Sequence, residues 1–200
     1  MRRRSRVKRR IRSVAWQRFD TPSMEHCQLL RSARGYHFES TVVASIEGEP
    51  ITCSYRIDCS KTFATREVRI ELLRGSARLR LELALSDRGW RTDGQPLAGF
   101  DDQPDVDLAI SPCTNTLPIR RLNLAVGESR EISPVWVRFP DLAVESLPQR
   151  YTRTGDLTYR LESDGGAFQA DLEVDDEGLI VRYGSLWTRV AQDVVSEDAG

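Results

Sequence analysis

The sequence contains few of the residues from which metal centres and nucleophilic sites are built. Its 200 residues include two histidines, His26 and His37, which form no ligand motif. Cys53 and Cys59 have no second Cys or His pair at the spacing of a zinc site. There is no phosphate-binding loop, no nucleophile elbow and no Ser/His or Cys/His constellation. We therefore expect no metal, no cofactor and no catalytic residue of these kinds.

Long apolar segments are also missing. No run of about 18 apolar residues occurs, so the sequence predicts no membrane-spanning helix. The basic start at residues 1–4 is not followed by an apolar h-region, which predicts that the chain is not secreted and works in the cytoplasm. In that compartment the four cysteines are expected to be reduced thiols. They are Cys27, Cys53, Cys59 and Cys113.

The net charge of −1 hides an uneven distribution. Residues 2–12 contain eight basic residues and no acid, and removing these eight leaves 21 basic against 30 acidic residues in the rest of the chain. A basic arm on an acidic body could bind nucleic acid or an anionic membrane surface, although a solvated tail has the same composition. We predict a disordered arm over residues 1–13, one domain over 14–190 and a frayed tail over 191–200.

Period-two patterns dominate the body of the chain. In residues 77–85 every odd position is apolar, which is typical of an antiparallel strand with one buried face and one solvent-exposed face. Turn-rich segments separate further runs of this kind, and a helical turn is predicted within 142–150. The patterns predict a mainly β domain with minor α: one antiparallel unit, either a sandwich or a strongly curved open sheet, with one or two short helices. The predicted strands are 14–19, 26–31, 36–46, 51–57, 68–72, 77–85, 131–139, 149–153, 156–161, 168–174 and 179–183.

Residues 111–122 form an unusually dense stretch. It contains Pro112 and Pro118, Asn115 between two threonines, and the pair Arg120–Arg121. Proline fixes φ and lacks an N–H donor, and Asn and Thr side chains bond to nearby backbone. We interpret the stretch as a shaped connector, rather than a plain strand or helix, that brings two guanidinium groups to one place.

Three motifs stand out in the second half of the chain. They are Trp90-x-x-Asp93-Gly94, Asp105-Val106-Asp107-Leu108 and Pro112-x-Thr114-Asn115-Thr116-Leu117-Pro118-Ile119-Arg120-Arg121-Leu122. These motifs resemble a bacterial family of glycolipid-binding proteins, and the similarity extends over about residues 14–190. The resemblance implies an amphipathic β half-barrel with a helical insert, similar in shape to periplasmic lipoprotein carriers. Cys113 departs from the family pattern, which has a large apolar residue there.

The resemblance also implies a non-enzymatic binding module for an amphipathic ligand such as a glycolipid. Acyl chains would lie on a concave apolar β face, at about 0.8 kcal/mol per buried CH₂. Arg120 and Arg121 would clamp an anionic head group, because the guanidinium fork matches such anions. Polar contacts to sugars would come from Asn115, Asp105 and Asp107, and stacking from Trp90. The apolar face would comprise Leu79, Leu81, Leu83 and Leu85, with Phe168, Ala170 and Leu172.

Each of these residues also has a structural interpretation. The two arginines could pair with Asp105 and Asp107, Trp90 could be a packed aromatic, and the leucines could be ordinary core. Asp105 and Asp107 could instead serve a carbohydrate hydrolase, since residues two apart on a strand project to one face about 6–7 Å apart. A third alternative is that the concave face binds a protein partner.

Overall fold

A computed structural model describes residues 7–100 and 103–194, and this part of the chain is dominated by β-strands. The strands are β1 Arg9–Arg18, β2 Ser23–Ser32, β3 Gly35–Ile46, β4 Glu49–Cys59, β5 Thr65–Arg74, β6 Ala77–Ser86, β7 Gly89–Thr92, β8 Gln95–Pro96, β9 Val106–Leu108, β10 Ser129–Ile132, β11 Val135–Val137, β12 Val144–Ser146, β13 Gln149–Arg153, β14 Thr158–Ser163, β15 Phe168–Val174, β16 Ile180–Tyr183 and β17 Trp187–Val194. One α-helix, α1, spans Thr116–Leu122, and 3₁₀ turns occupy Cys113–Asn115 and Asp164–Gly166.

Fourteen of the described strands form one antiparallel sheet. Its order is β10-β13-β14-β15-β16-β17-β1-β2-β3-β4-β5-β6-β7-β8, so β10 and β8 are its two edges and the sheet does not close. A second sheet has the order β12-β11-β9, with β11 and β9 parallel. The mainly β, open antiparallel fold that the sequence predicts is therefore confirmed, whereas the half-barrel shape stays a prediction.

One face of the large sheet carries the core. Strand residues alternate between buried and exposed, as the period of two requires, so that β4 buries Ile51, Cys53, Tyr55 and Ile57 in turn. These side chains belong to a single apolar cluster that also contains residues of β9, β11 and α1. The small sheet and α1 therefore cover the apolar face, and polar residues cover the other.

The predicted hairpins are present. Glu47 and Gly48 join β3 to β4 in a two-residue turn with φ of 53° and 81°, the left-handed values that a tight hairpin needs. β5 and β6 pair along their length from Glu67 opposite Ala84 to Arg74 opposite Ala77. The alternation in β6 has the predicted sense at Leu81 and Leu83, which are buried, whereas Arg80 and Glu82 are exposed. Leu79, nearer the start of the strand, is partly exposed.

Two predictions in the second half of the chain are wrong. Residues 131–139 are not one strand: β10 lies in the large sheet and β11 in the small one. The break falls at Ser133 and Pro134, where proline cannot donate to a ladder. Residues 142–150 contain no helical turn but parts of the extended strands β12 and β13.

The interpretation of residues 111–122 as a connector without helix is also wrong. A 3₁₀ turn over Cys113–Asn115 leads directly into α1. Pro118 is the third residue of α1, within the first turn, where backbone N–H groups have no partner inside the helix, so the helix tolerates it. The helix ends at Asn123, which adopts the left-handed conformation (φ 45°) that commonly terminates helices.

The predicted boundaries between the domain and its two terminal segments differ from the ends of the strands in the structure. Residues 1–6 and 195–200 lie outside the described residues. Within the predicted arm, residues 9–13 form the first half of β1, between β2 and β17. Within the predicted tail, residues 191–194 belong to β17. Since β1 and β17 are central in the large sheet, both ends of the described chain belong to the fold.

Candidate functional site

One side of α1 is bonded tightly to the rest of the protein through an ion pair. Asp105, which precedes β9, has a side chain that is 1% exposed. Arg121 donates to it twice, from Nε to Oδ1 at 2.9 Å and from Nη2 to Oδ2 at 2.5 Å. This bidentate pair is the structural alternative that the sequence allowed, and it occupies the donors of Arg121 at Nε and Nη2.

Other residues of the predicted site complete this buried side. Asp107 accepts hydrogen bonds from Thr114 Oγ1 at 2.9 Å and from Gln149 Nε2 at 2.7 Å, and burial raises the pKa of its carboxyl group. Asn115 donates to the carbonyl oxygen of Pro112 at 3.1 Å and accepts from the Tyr151 hydroxyl at 2.8 Å. These side chains bind one another, so they fix the stretch before α1 to β9 and β13.

Trp90 is not available as a stacking platform. Its side chain is buried in the core, and its indole Nε1 donates to the backbone oxygen of Gln103 at 2.9 Å. Buried Trp usually satisfies its N–H in this way. The packed-aromatic interpretation therefore describes Trp90.

A second buried polar cluster joins the large sheet to the start of the same stretch. Glu25 Oε1 accepts from Ser40 Oγ at 2.6 Å, Tyr55 Oη at 2.5 Å and Ser111 Oγ at 2.9 Å. Glu25 Oε2 is buried without a partner among the described residues. Burial raises the pKa of Glu25 to about 7 although the three hydrogen bonds oppose the shift. Sequence reasoning missed this cluster, because its members are isolated in the sequence.

The apolar stripes assigned to a ligand are mostly core, which corrects that prediction. Leu81, Leu83 and Leu172 are buried in the cluster that includes α1 and the small sheet. Leu85 and Phe168 pack against the same cluster. The protein therefore covers this face of the sheet with its own chain, and acyl chains cannot lie there without displacing those elements.

The other side of α1 is open. A groove of about 510 Å³ lies between the helix and three turns of the chain. Its apolar lining comes from Phe63, Ile119, Tyr159 and Val174, which are buried, and from Leu157, which is 49% exposed. The volume falls in the usual range of ligand pockets. The other lining residues are Lys61, Thr62, Arg120, Arg121, Asn123, Arg153, Asp156, Asp175, Asp176 and Gly178.

Of the predicted site residues, Arg120 and Arg121 line this groove, and Arg120 is the one that is not held in a bidentate pair. Its guanidinium carbon lies 4.9 Å from the centre of the Phe63 ring, and Nη1 donates to the backbone oxygen of Asp176 at 3.1 Å. A longer contact of 3.3 Å joins it to Glu177 Oε2. With 30% of its side chain exposed, Arg120 keeps donors for a further anion.

Two cations that the sequence analysis did not single out line the same groove. Lys61 is exposed and makes no ion pair or hydrogen bond within residues 7–100 and 103–194. Arg153 donates to the backbone oxygens of Leu124 at 2.8 Å, Gly155 at 3.1 Å and Asp156 at 2.6 Å, and no carboxylate in the described chain pairs with it. Both positive charges are therefore uncompensated by a bonded carboxylate.

The turn at Gly178 makes room for Arg120. Gly178 has a φ of +76°, and a Cβ atom there would lie 2.9 Å from Arg120 Cδ and 3.0 Å from Cγ. Asp175 shapes this turn by accepting from the backbone N–H groups of Glu177 and Leu179 at 3.0 and 2.9 Å. Its other oxygen binds Arg12 and Arg189, so Asp175 is neutralised from outside the groove. The turn over residues 175–179 thus positions Arg120.

The basic arm has fewer available charges than its sequence indicates. Lys8 pairs with Glu39 at 2.8 Å, Arg10 with Asp193 at 2.7 Å, and Arg12 with Asp175 at 2.6 Å. Of the four basic residues that the structure describes in this arm, at least three therefore bind the protein's own carboxylates. This weakens the nucleic-acid alternative, and residues 2–6 lie outside the described residues.

The cysteines are free and buried, and Cys113 packs against Cys27 with their sulfur atoms 3.7 Å apart. Burial raises the pKa of Cys27. In the described part of the chain, no group of three or more His, Cys, Asp or Glu residues could hold a metal ion. No helix in that part is long and apolar enough to cross a membrane.

Comparisons with known proteins agree with the resemblance seen in the sequence. A family model described as "Putative glycolipid-binding" matches residues 13–189. A crystal structure of a DUF1089 family protein from Pseudomonas aeruginosa is 35% identical, with a TM-score of 0.77, and the match covers 84% of this chain and 92% of that one. A search among curated proteins found no match.

Proposed function

The chain belongs to the family described as "Putative glycolipid-binding", and from this membership and the groove beside α1 we propose that it is a non-enzymatic binding module for an amphipathic, anionic ligand of the glycolipid class. The ligand lies in the groove, with its apolar part on Phe63, Tyr159 and Leu157 and its head group at Arg120. The observation that carries the proposal is an apolar floor next to Lys61 and Arg153, two cations that have no bonded carboxylate among the described residues.

The groove has a cationic part and an apolar part, and this division supports the assignment. Arg120 and Arg153 present guanidinium donors, which match phosphate, sulfate and carboxylate groups. The exposed Leu157 and the rings of Phe63 and Tyr159 provide area for an apolar chain, and each CH₂ that leaves water contributes about 0.8 kcal/mol. At about 510 Å³ the groove accommodates a head group and the first part of a chain rather than a complete two-chain lipid.

The alternatives from the sequence have less support. A hydrolase that uses Asp105 and Asp107 is disfavoured, because Arg121, Thr114 and Gln149 already occupy the oxygens of both carboxylates. A protein partner on the apolar face of the sheet would compete with α1 and the small sheet. The cytoplasmic location stays a prediction.

Native mass spectrometry of the gently purified protein, with and without added lipid extract, tests for a bound lipid. Titration with single-chain probes below their micelle concentrations then tests the chemistry. We expect lauroyl lysophosphatidylglycerol, which is anionic, to bind more tightly than dodecyl maltoside, which is neutral. No co-purified lipid together with no binding of either probe would contradict the proposal.

Two substitutions locate the site. Arg120→Gln removes a charge-assisted donor and should weaken binding of the anionic probe by about tenfold, with little effect on the neutral one. Leu157→Asn should weaken both probes. Arg182→Gln is the matched control, because Arg182 is exposed on β16 and makes only a 4.0 Å contact with Glu173. Equal losses in Arg182→Gln and Arg120→Gln would mean that the probe responds only to net charge.

A further inference from the structure

The outer face of the large sheet contains a second groove, separate from the one beside α1. Its volume is about 690 Å³, within the range of ligand sites. Two adjacent cross-strand rows of β2 to β6 form it, and five strands at ordinary spacing span about 19 Å. One row is His26, Thr41, Ser54, Glu71 and Arg80, and the other is Gln28, Glu39, Arg56, Arg69 and Glu82.

The sequence explains why a depression forms here. Thr41 and Ser54 are directly opposite one another in the middle of the face and have short side chains. The neighbouring positions of the rows carry long side chains, such as those of Arg56 and Glu71, which stand up from the sheet as walls. The depression therefore follows from side-chain length and needs no break in the sheet.

The groove offers hydrogen-bonding groups that the protein does not use. The side chains of Gln28, Thr41 and Ser54 make no hydrogen bond to any described residue. A hydroxyl can both donate and accept, and the Gln amide carries two donors and an acceptor. The floor therefore presents mixed donors and acceptors to whatever enters.

The walls of the groove are balanced in charge. Arg80 binds Glu71 at 2.9 Å, Arg69 lies 3.3 Å from Glu82, and Arg56 lies 3.9 Å from Glu39. Three arginines thus face three glutamates. Beyond the lining, Lys8 and Arg78 bond to Glu39 and Glu71, and Glu67 bonds to Arg69. Neither an anion nor a cation therefore meets a large excess of opposite charge. The lining is too polar for an acyl chain, since burying unpaired polar groups under hydrocarbon is costly.

An exposed apolar row borders the groove. The next cross-strand row consists of Met24, Val43, Thr52 and Leu73, three of which are apolar. The exposed fractions of these three are 49%, 59% and 39%. The face thus combines a polar, charge-balanced groove with a strip of apolar side chains beside it.

We propose that this outer groove binds a neutral oligosaccharide, whose hydroxyl groups bond to Gln28, Thr41 and Ser54 and to the paired side chains of the walls. The C–H faces of the sugar rings lie on the apolar row. The length of the groove suits a chain of several sugars better than a single ring. This inference does not depend on the groove beside α1, which differs from it in charge and position.

Titration of the labelled protein with neutral tetrasaccharides of glucose, mannose and N-acetylglucosamine, followed by amide NMR, tests the proposal. At least one should shift amides of β2 to β6 while leaving those of α1 unchanged. Inorganic sulfate is the comparison probe for Arg56 and Arg69, which face each other across β4 and β5. If no tetrasaccharide binds, or if sulfate shifts these amides and the sugars do not, the proposal is wrong.

Matched variants locate the contact. Thr41→Val removes a hydroxyl group from the floor of the groove at nearly constant side-chain shape. It should lower the affinity for the saccharide about three- to tenfold. Ser54→Gln fills the floor and should abolish binding. Thr188→Val is the control, because Thr188 lies on β17 of the same sheet but lines neither the groove nor the apolar row beside it. Equal losses in Thr41→Val and Thr188→Val, with all variants folded by circular dichroism, would also overturn the assignment.

Discussion

Arg120 and Arg121 are consecutive in α1 and both line the groove, yet their guanidinium groups have different partners and different roles. Arg121 is fixed by two hydrogen bonds to the buried carboxylate of Asp105. Arg120 lies over Phe63 at the edge of a groove and is held by one backbone oxygen and one longer contact to Glu177. The motif therefore combines a structural anchor with a candidate ligand contact.

The side of α1 that carries the Asp105–Arg121 pair is buried, and the side along the groove is open. The two sides differ in which groups bond to the charged side chains. On the buried side the partners are inside the protein, so the removal of one member leaves the other unpaired in a medium of low polarity. On the open side, Lys61 has no bonded partner among the described residues, and Arg153 bonds to three backbone oxygens rather than to a carboxylate. Stability and binding should therefore respond to different residues of one helix.

The largest expected effect is on the buried side. Arg121→Gln leaves Asp105 buried without its cation, and we expect the free energy of unfolding to fall by about 3–5 kcal/mol. Urea denaturation measures this change. Arg120→Gln, one position away on the same helix, is the control and should cost less than about 1 kcal/mol.

A double variant makes the comparison sharper. Adding Asp105→Asn to Arg121→Gln replaces the charged pair with a neutral one, so part of the lost stability should return. If the double variant is less stable than Arg121→Gln alone, the loss does not come from an unpaired carboxylate, and the pair is not the anchor of α1.

The next largest effect depends on pH and concerns Glu25, which bonds to Ser111 on the buried side. Its pKa is raised from 4.5 to about 7. The folded protein therefore binds more protons than the unfolded chain between these values, and stability falls as pH rises through this window. One pKa unit corresponds to 1.36 kcal/mol, so the loss is about 3 kcal/mol.

Denaturation of wild type and Glu25→Gln from pH 4 to pH 8 isolates this contribution, because other groups titrate in both proteins. The stability difference should shift in favour of Glu25→Gln by about 3 kcal/mol across the window and stay constant above it. A difference that does not change with pH would mean that the pKa of Glu25 is not raised in the folded protein, despite its burial.

Much of the fold was predictable because strand periodicity is a local property. The alternation in β6 and the turn at Glu47 and Gly48 are determined by residues close in sequence. The helix was missed because prolines count against a helix in general, whereas Pro118 lies in the one turn that tolerates it. The split of residues 131–139 was missed because strand patterns do not reveal which sheet a strand joins.

The candidate site was predictable only where the motif itself contains both partners. Asp105 and Arg121 both belong to it, so their pairing was a stated alternative. Lys61 and Arg153 come from distant turns and reach Arg120 only through the sheet topology, and no spacing rule connects them. The motif marked the correct helix, but it did not distinguish the open side of α1 from the buried one.

A smaller effect tests how the open side is built. Gly178→Ala introduces a side chain at a φ of +76° and places its Cβ 2.9 Å from Arg120 Cδ. We expect a loss of about 1–2 kcal/mol in stability and weaker binding of the anionic lipid probe, because Arg120 must move. Gly127→Ala is the control, since Gly127 has a φ of +86° with no atom within 4 Å of its Cβ position. Unchanged binding in Gly178→Ala would show that the turn does not position Arg120.

The smallest expected effect on stability is at Lys61, and it separates binding from folding most cleanly. Because Lys61 has no partner among the described residues, Lys61→Gln should change the free energy of unfolding by less than about 0.5 kcal/mol. Its charge lies in the groove, so affinity for lauroyl lysophosphatidylglycerol should fall about threefold at low salt, and the difference should shrink as ionic strength rises. The control is Lys8→Gln, which removes the chain's other lysine: Lys8 is bonded to Glu39 on the outer face and should not affect this probe. If Lys8→Gln weakens binding as much as Lys61→Gln, the probe senses only the charge of the whole protein, and the groove beside α1 is not its site.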